Sequence, residues 1–366
     1  MLPGVGRDLF GGCYTPWYHL AYNMAVAGFS KLPLVTQTVY GRLLDLLLTA
    51  EAGVPTSGAS LVSKTIRGRR YWYAQRREGR KKIQRYIGSE TPEVEALLER
   101  WRRARSEAAS RAELVAMARA GGAAAIGAAE IQVLERLSSV FRIGGVLVGS
   151  HAFAVLGNML GVRWQEAIVR TEDVDIAHDH RIAVALAGEG QPADMRKALG
   201  DPLPRFSALN PTYPTTAFRV RGTDVEVEVL TPLVGRERSR PIQIPALGVA
   251  ATPLRFLDYL IEETQPGAVL GGSGVLVNVP RPGRFALHKL IVAARRGPSG
   301  MPKAAKDRAQ ASELLRVLLS ELPGEITLAW KALGRHGKAW VSAAGSSLKR
   351  MDTELVADLR RIGVGG

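Results

Sequence analysis

Cysteine is nearly missing from these 366 residues: Cys13 stands alone, so neither an internal disulfide nor a cysteine-based metal cage can form. Histidine is scarce as well, and six scattered residues argue against a zinc site. No run approaches the roughly 18–20 uninterrupted apolar residues that span a bilayer. Arg7 and Asp8 fall where a signal peptide carries its apolar core. The expectation is a cytoplasmic protein with no membrane partner. Acids are in deficit, 34 Asp+Glu against 49 Lys+Arg, leaving a formal charge of +15. Hydrophobic residues make up 46%, enough for ordinary cores, which excludes global disorder and fits about two or three domains.

The positive excess is local. Residues 64–85 carry ten cations, Arg69, Arg70, Arg76, Arg77, Lys81 and Lys82 among them, against Glu78 alone, so +9 of the +15 falls within 22 residues. Tyr71, Trp72, Tyr73 and Tyr86 are interleaved with them. Arg-Glu-Gly at 77–79 reads as a turn between two strand-like runs, TIRGRRYWYAQ and KKIQRYIG, which together predict a basic β-hairpin with an aromatic face. Cations on a pleated surface neutralise phosphates and rings stack on unpaired bases, which makes Arg69, Arg70, Trp72, Arg76, Arg77, Lys81 and Lys82 candidates for RNA or DNA contact. The same run also reads as a solvated basic face, with Trp72 and Tyr86 packing on the neighbouring helix.

Along the chain, helical apolar spacing over 33–53 precedes the hairpin, and residues 1–90 read as an accessory unit. Thr91-Pro92 supplies an N-cap and a first-turn proline for a long charged helix that Gly121-Gly122 stops, so 91–124 reads as a connector. From 125 to 240 helix and strand mix: a helix over 124–141, the apolar run 143–149, a helical stretch over 150–160, the strand 173–178, a helix near 192–199, and strands at 215–220 and 223–230. From 241 to 366 the chain is mostly helical, with PLRFLDYLIEE (253–263), a strand at 275–279, and helices near 283–296, 302–321, 324–334 and 338–362. GGSG at 271–274 lacks the Lys-Ser/Thr of a phosphate loop and reads as a turn between strands. The overall expectation is an α+β fold.

Three elements carry chemistry. Gly149-Ser150 opens a helix directly after an apolar strand, where unpaired backbone N–H groups and the positive helix end can seat a phosphate; the pair also serves as a plain N-cap. In Asp173-Val174-Asp175-Ile176, strand alternation turns both aspartates to one side and buries Val174 and Ile176 on the other. Converging carboxylates repel unless a cation lies between them, and hard oxygen ligands suit Mg²⁺ or Mn²⁺. In Asp224-Val225-Glu226-Val227-Glu228, the three acids are expected to share a face. Laid beside the aspartate strand, this run adds a third carboxylate, a set able to hold two metals for in-line attack on a phosphate. His178-Asp179-His180 reads as a polar turn and His151 as a histidine packed locally.

This order resembles the polymerase-β-like nucleotidyltransferase superfamily: an apolar strand, Gly-Ser, Asp-x-Asp, then a later strand acid. More narrowly, VGSHAF (148–153), RTEDVDIA (170–177) and VEVLTP (227–232) resemble a bacterial family of nucleotidyltransferase-fold proteins related to AbiEii-type toxins of type IV toxin–antitoxin systems. The likeness covers roughly residues 125–320. It implies a mixed sheet with flanking helices and an Mg²⁺-dependent enzyme that moves an NMP from an NTP to a hydroxyl of RNA, tRNA or protein. A cognate antitoxin would be a possible partner. Gly149 and Ser150 would then hold the triphosphate, Asp173 and Asp175 the metals, and Glu228 would be the third acid, with Glu226 the alternative. His288-Lys289-Leu290-Ile291-Val292-Ala293 resembles the toxins' Lys-Leu-x-x-Ala helix, and Lys306-Asp307 their Lys-Asp element, which makes Lys289 and Asp307 nucleotide-binding candidates; a snorkelling lysine and a surface pair are the plainer readings.

The chain departs from that pattern in three places. Residues 151–172 separate Ser150 from Asp173 by more than in compact members, so a loop containing Trp164 and Arg170 has to be accommodated. Gln310 stands where related toxins often place a second acid, and the third acid is Glu rather than Asp. A catalytically dead scaffold that binds nucleic acid through 64–85 is the competing function. A nucleotide-sugar glycosyltransferase, whose Asp-x-Asp also binds metal, is a weaker third, since Gly149-Ser150 and the later acid strand speak against it.

Overall fold

A computed structural model describes residues 29–50, 59–78, 81–169, 173–181, 193–205, 212–236 and 240–365. Strand β1 (Phe29–Lys31) leads into helix α1 (Leu34–Leu48), and three antiparallel strands follow: β2 (Ala59–Ile66), β3 (Arg69–Glu78) and β4 (Lys81–Ser89). The run TIRGRRYWYAQ is therefore not one strand. Arg67 and Gly68 take φ of 50° and 78°, the paired left-handed residues of a tight hairpin turn, and divide it between β2 and β3. β3 and β4 form the expected pair; Arg77 and Glu78 lie within β3, and the rest of the expected 77–79 turn falls outside the described residues.

Helix α2 (Pro92–Ala120) starts and stops where its sequence signals stand. Thr91 Oγ1 accepts from the Val94 N–H at 3.4 Å, Glu93 and Glu95 lie at the positive end, and Gly121-Gly122 ends the helix. The helix expected over 124–141 is two, α3 (Ala128–Arg136) and α4 (Ser138–Arg142), joined at the fully buried Leu137. There follow β5 (Val146–Leu147), α5 (Gly149–Met159), β6 (Val162–Trp164), α6 (Glu166–Val169), β7 (Asp173–Ala177), α7 (Met195–Ala198), β8 (Leu203–Arg205), β9 (Ala217–Arg219) and β10 (Glu226–Pro232). The last third comprises β11 (Ile242–Ile244), β12 (Val249–Leu254), α8 (Leu257–Ile261), β13 (Thr264–Val269), β14 (Val275–Pro280), α9 (Pro282–Arg295), α10 (Met301–Glu321), α11 (Pro323–His336), α12 (Lys338–Leu348) and α13 (Thr353–Arg361).

The main sheet runs β11-β12-β10-β7-β5, with β9 beside the first half of β10 and β8 beside β9. It is mixed: β10 is parallel to β7 and β12 and antiparallel to β9, while β5 is antiparallel to β7. Val174, Ile176, Val227 and Val229 are fully buried on one side of the two central strands. This is the α+β architecture expected, with strands at 242–244, 249–254 and 264–269 that the sequence reading missed. PLRFLDYLIEE begins in β12 and turns helical only after Phe256, whose φ is +70°. The final stretch is α12 and α13 rather than one helix, and Gly271–Gly274 turns between β13 and β14 as expected. Asp224 is not on the acid strand. Thr223 caps a turn through Val220 O and the Val225 N–H, so β10 begins only at Glu226, and Asp224 is exposed and paired with Arg219 at 3.2 Å.

A large apolar core joins the sheet to α9–α12, and a smaller one gathers Tyr40, Leu43 and Leu47 of α1 with Val115 and Ala118 of α2 and Ala268 of β13. Trp164, expected in a loop, instead ends strand β6 opposite Phe29; it stacks on Phe153 at 4.6 Å and donates to its carbonyl at 2.8 Å. Arg170 lies outside the described residues. Among the described residues no helix is long and apolar enough to cross a membrane.

Candidate active site

Parallel pairing sets Glu226 beside Asp173 and Glu228 beside Asp175, so four carboxylates project from one face of β7 and β10. The two glutamates are not equivalent. Glu226 is taken up by an ion pair with Arg205, whereas Glu228 is half-buried and accepts from Thr252 Oγ1 at 3.3 Å. Burial raises the Glu228 pKa, Thr252 pulls it back, and Glu226 and Asp173 add to the rise. Asp175 is pushed up to about 6 by burial and then by Glu228 and Asp173, against the pull of Lys289 and Lys303. Asp173 is the exposed member of the set.

The helix start beside these acids is built on glycine. Val148 donates to Asp175 O at 3.0 Å, and Gly149 opens α5 with φ +67°. A Cβ on Gly149 would overlap Asp175 Oδ2, so the carboxylate rests directly over the glycine backbone. His151, buried one residue beyond Ser150, hydrogen-bonds the Asp173 backbone through its ring and is held neutral chiefly by burial, which lowers its pKa. It packs locally, as expected.

Helices α9 and α10 bring cations to the same place. Lys289 Nζ and Arg296 Nε both donate to the buried Asp307, each at 2.8 Å. Burial opposes its charge, but the two cations hold its pKa below the usual range. Lys289 and Asp307 are thus brought together as one pair. Lys306 faces Lys289, Asp307, Asp173 and Asp175, and burial and Lys289 lower its pKa. Gln310, fully buried, donates to Ile168 O at 2.6 Å and to Ser150 Oγ at 3.3 Å, tying α10 to the helix start. The sequence reading missed Arg296, Lys303 and Thr252. Lys303 could have been found, since it precedes Lys306 by one helical turn.

Among the described residues no cluster of three or more His, Cys, Asp or Glu is gathered as a ready metal cage. The donor chemistry nevertheless fits a hard divalent cation. After burial, Glu228 and Asp173 raise the Asp175 pKa, and Glu226 and Asp173 add to the rise of Glu228, and a cation among these carboxylates removes that repulsion. His178-Asp179-His180 does not contribute: His178 binds Ile143 O, Asp179 pairs with Arg181, and His180 binds Thr231.

The nucleic-acid candidates lie on the separate β2–β4 sheet. Arg69, Lys81 and Lys82 are exposed, Arg70 pairs with Glu90 at 3.0 Å, and Trp72 lies under Arg102 of α2 at 5.8 Å. The side chains of Arg76 and Arg77 fall outside the described residues.

Comparison with known proteins adds two findings. A family model described as Nucleotidyltransferase matches residues 128–334, the stretch from α3 through α11 that contains Asp173, Asp175, Glu226, Glu228, Lys289, Arg296, Lys303, Lys306 and Asp307. A second, described as a domain of unknown function (DUF6788), matches residues 40–96, which include the basic sheet. No curated protein and no solved structure matches the chain.

Proposed function

This chain belongs to the nucleotidyltransferase family, and on that premise we propose that it moves an NMP from an NTP to a hydroxyl group with Asp173, Asp175 and Glu228 as the acids of the reaction. The observation that carries this is the register of β7 and β10, which sets Glu228 beside Asp175 over a helix start that only glycine permits. In the reaction the acceptor oxygen bonds to the α-phosphorus, the bond from that phosphorus to the bridging oxygen breaks, and pyrophosphate leaves with the electron pair. Glu228 is our choice to take the hydroxyl proton, since burial makes it more basic than a free glutamate. Asp173, Asp175 and Glu228 are also the residues that would hold Mg²⁺ or Mn²⁺. Such an ion, when bound, neutralises phosphate charge and acidifies the hydroxyl.

The triphosphate is assigned to the backbone of Gly149 and Ser150 and to Lys289, with Asp307 orienting that lysine rather than touching the nucleotide, because its carboxylate is already shared between Lys289 and Arg296. Labour is divided along the chain in this reading: 125–240 supplies the acids, 241–366 the cations, 91–124 the connection, and 1–90 the capture of an acceptor. The likeness to AbiEii-type toxins supports RNA, tRNA or protein as acceptor and leaves room for an antitoxin partner.

The test is incubation of the full chain with each labelled NTP, Mg²⁺ and bulk tRNA or cell extract. Label should pass to a macromolecule with the parent and not with Asp175→Asn. Equal labelling by both proteins, or none by either across the four NTPs with Mg²⁺ and with Mn²⁺, defeats the reading.

A further inference from the structure

The sheet β2–β3–β4 has two unlike faces. Alternation along β3 puts Arg69, Tyr71, Tyr73 and Gln75 on one side and Arg70, Trp72 and Ala74 on the other. The register carries the first side onto β2 through Lys64, opposite Tyr71, and onto β4 through Tyr86 and Gln84, opposite Tyr73 and Gln75. Tyr73 meets Tyr86 edge-on at 5.5 Å between centroids, and Tyr71 lies 6.3 Å from the same ring, which is 56% exposed. Lys64 Nζ stands 4.8 Å over Tyr73 and donates to Gln84 Oε1 at 2.7 Å, and Gln84 in turn donates to Gln75 at 2.9 Å. These amides and the lysine fix the rings in place. The other face is already engaged, Trp72 by Arg102 and Arg70 by Glu90.

We propose that the tyrosine face binds single-stranded nucleic acid, with bases stacked on Tyr71, Tyr73 and Tyr86 and phosphates met by Lys64, Arg69 and Lys82. Charge selects this occupant. The three strands hold eight Lys and Arg against Glu78 alone, so an anionic polymer is attracted where a second copy of the same sheet would be repelled. Among the described residues Tyr86 is exposed and Tyr71 and Tyr73 are half-buried; rings on a sheet surface accept the flat face of an unpaired base, and a duplex keeps those faces buried in its own stack. Trp72, the most obvious stacking residue in the sequence, is thereby moved to the back of the sheet. This site lies outside the transfer machinery and needs none of its chemistry.

Fluorescence anisotropy of the full chain tests it, using an end-labelled RNA of mixed sequence about fifteen nucleotides long, the same sequence in DNA, and the matching duplexes. Measured in EDTA without NTP, the result is independent of whether transfer occurs. Single strands should bind more tightly than duplexes. Tyr73→Ala and Tyr86→Ala should each weaken binding by roughly five- to hundred-fold, and Tyr86→Phe should hold within about twofold of the parent. Lys64→Met should lower the slope of log affinity against log salt by about 0.7. Arg70→Gln, on the back face, should stay within about threefold. A preference for RNA over DNA identifies the 2′-hydroxyl as part of the recognised chemistry, and equal affinity identifies any single strand. Duplex binding as tight as single-strand binding, tyrosine variants that bind like the parent, or no binding at about 50 mM salt each overturns the proposal. A tyrosine variant that changes sedimentation instead of anisotropy overturns it too, making the face a self-association surface.

Discussion

At Gly149 a methyl group would have to occupy space that Asp175 Oδ2 now fills, and the φ of +67° is one that alanine adopts at a penalty of roughly 1–2 kcal/mol. Gly222 makes the matching control, because its φ is +77° but nothing lies within 4 Å of an added Cβ. Gly222→Ala should therefore lose about 1 kcal/mol in a urea melt and keep its transfer activity. Gly149→Ala should lose more stability and also displace the carboxylate, abolishing transfer. Similar activity in the two variants would mean that Asp175 is not held over that backbone for a purpose. The neighbouring acid gives a pH-resolved test. With its pKa raised from 3.8 to about 6 in the fold, Asp175 binds its proton more tightly folded than unfolded, so it lowers stability as pH rises through that window. Fully ionised, it represents a penalty of about 3 kcal/mol, at roughly 1.4 kcal/mol per pH unit. Asp175→Asn in EDTA should match the parent near pH 4 and exceed it by about 2–3 kcal/mol near pH 7.5. A difference that does not change with pH would contradict the raised pKa that burial and the neighbouring acids give Asp175.

Among the elements, α9 and α10 are coupled by one buried carboxylate. Asp307 lies 2.8 Å from both Lys289 and Arg296, and Lys289 is only 14% exposed, so removing the acid leaves a cation poorly solvated. Asp307→Asn should cost about 2–4 kcal/mol by chemical denaturation. The double variant with Lys289→Met should recover part of that loss, since the stranded charge goes with it. Because the Asp307 pKa is depressed, its contribution is complete above the ordinary carboxylate range and is lost as pH falls through the lowered value. Additive losses in the double variant would show that the pair is not coupled.

What the sequence made legible at this scale follows from how local each signal is. Thr91, Pro92 and Gly121 delimit α2 because caps act within one turn. The acids of β7 and β10 could be assigned to a face because strand alternation is local, and the buried valines behind them confirm that alternation. Arg67-Gly68 was passed over because the residues on either side of it are equally strand-like. β11–β13 were missed because their runs are short, β12 and β13 contain proline, and β12 is fixed as a strand by pairing with β10 as well as with its neighbour β11. Arg296 was invisible for the same reason: its partner Asp307 lies on another helix.

Across the whole molecule, the N-terminal helix is tied to the family domain by a buried phenol. Tyr40 Oη donates to Ala268 O and accepts from the Ala268 N–H, both at 3.0 Å, while α1, α2 and β13 share the smaller apolar core around it. At the far end of the same junction, Asn158 of α5 binds both the N–H and the carbonyl of Ala124, at 2.7 and 2.8 Å, and so pins the segment between α2 and α3. Both ties are buried or half-buried, where an unpaired backbone group loses about 1–3 kcal/mol. The N-terminal helices are therefore anchored to β13 and α5 rather than to the acid-bearing sheet itself, and loosening the anchor should act on α1 and the end of α2 before it reaches β7 and β10. Tyr40→Phe is the sharpest probe, since it keeps the ring and deletes only the hydroxyl. Hydrogen exchange should speed up in α1 and in the last turns of α2, by roughly five- to hundred-fold for a loss of that size, while β7 and β10 keep the parent's protection. Uniform acceleration through all of these elements would instead make the two regions a single cooperative unit, and the anchor would then be part of the global fold rather than a local tie.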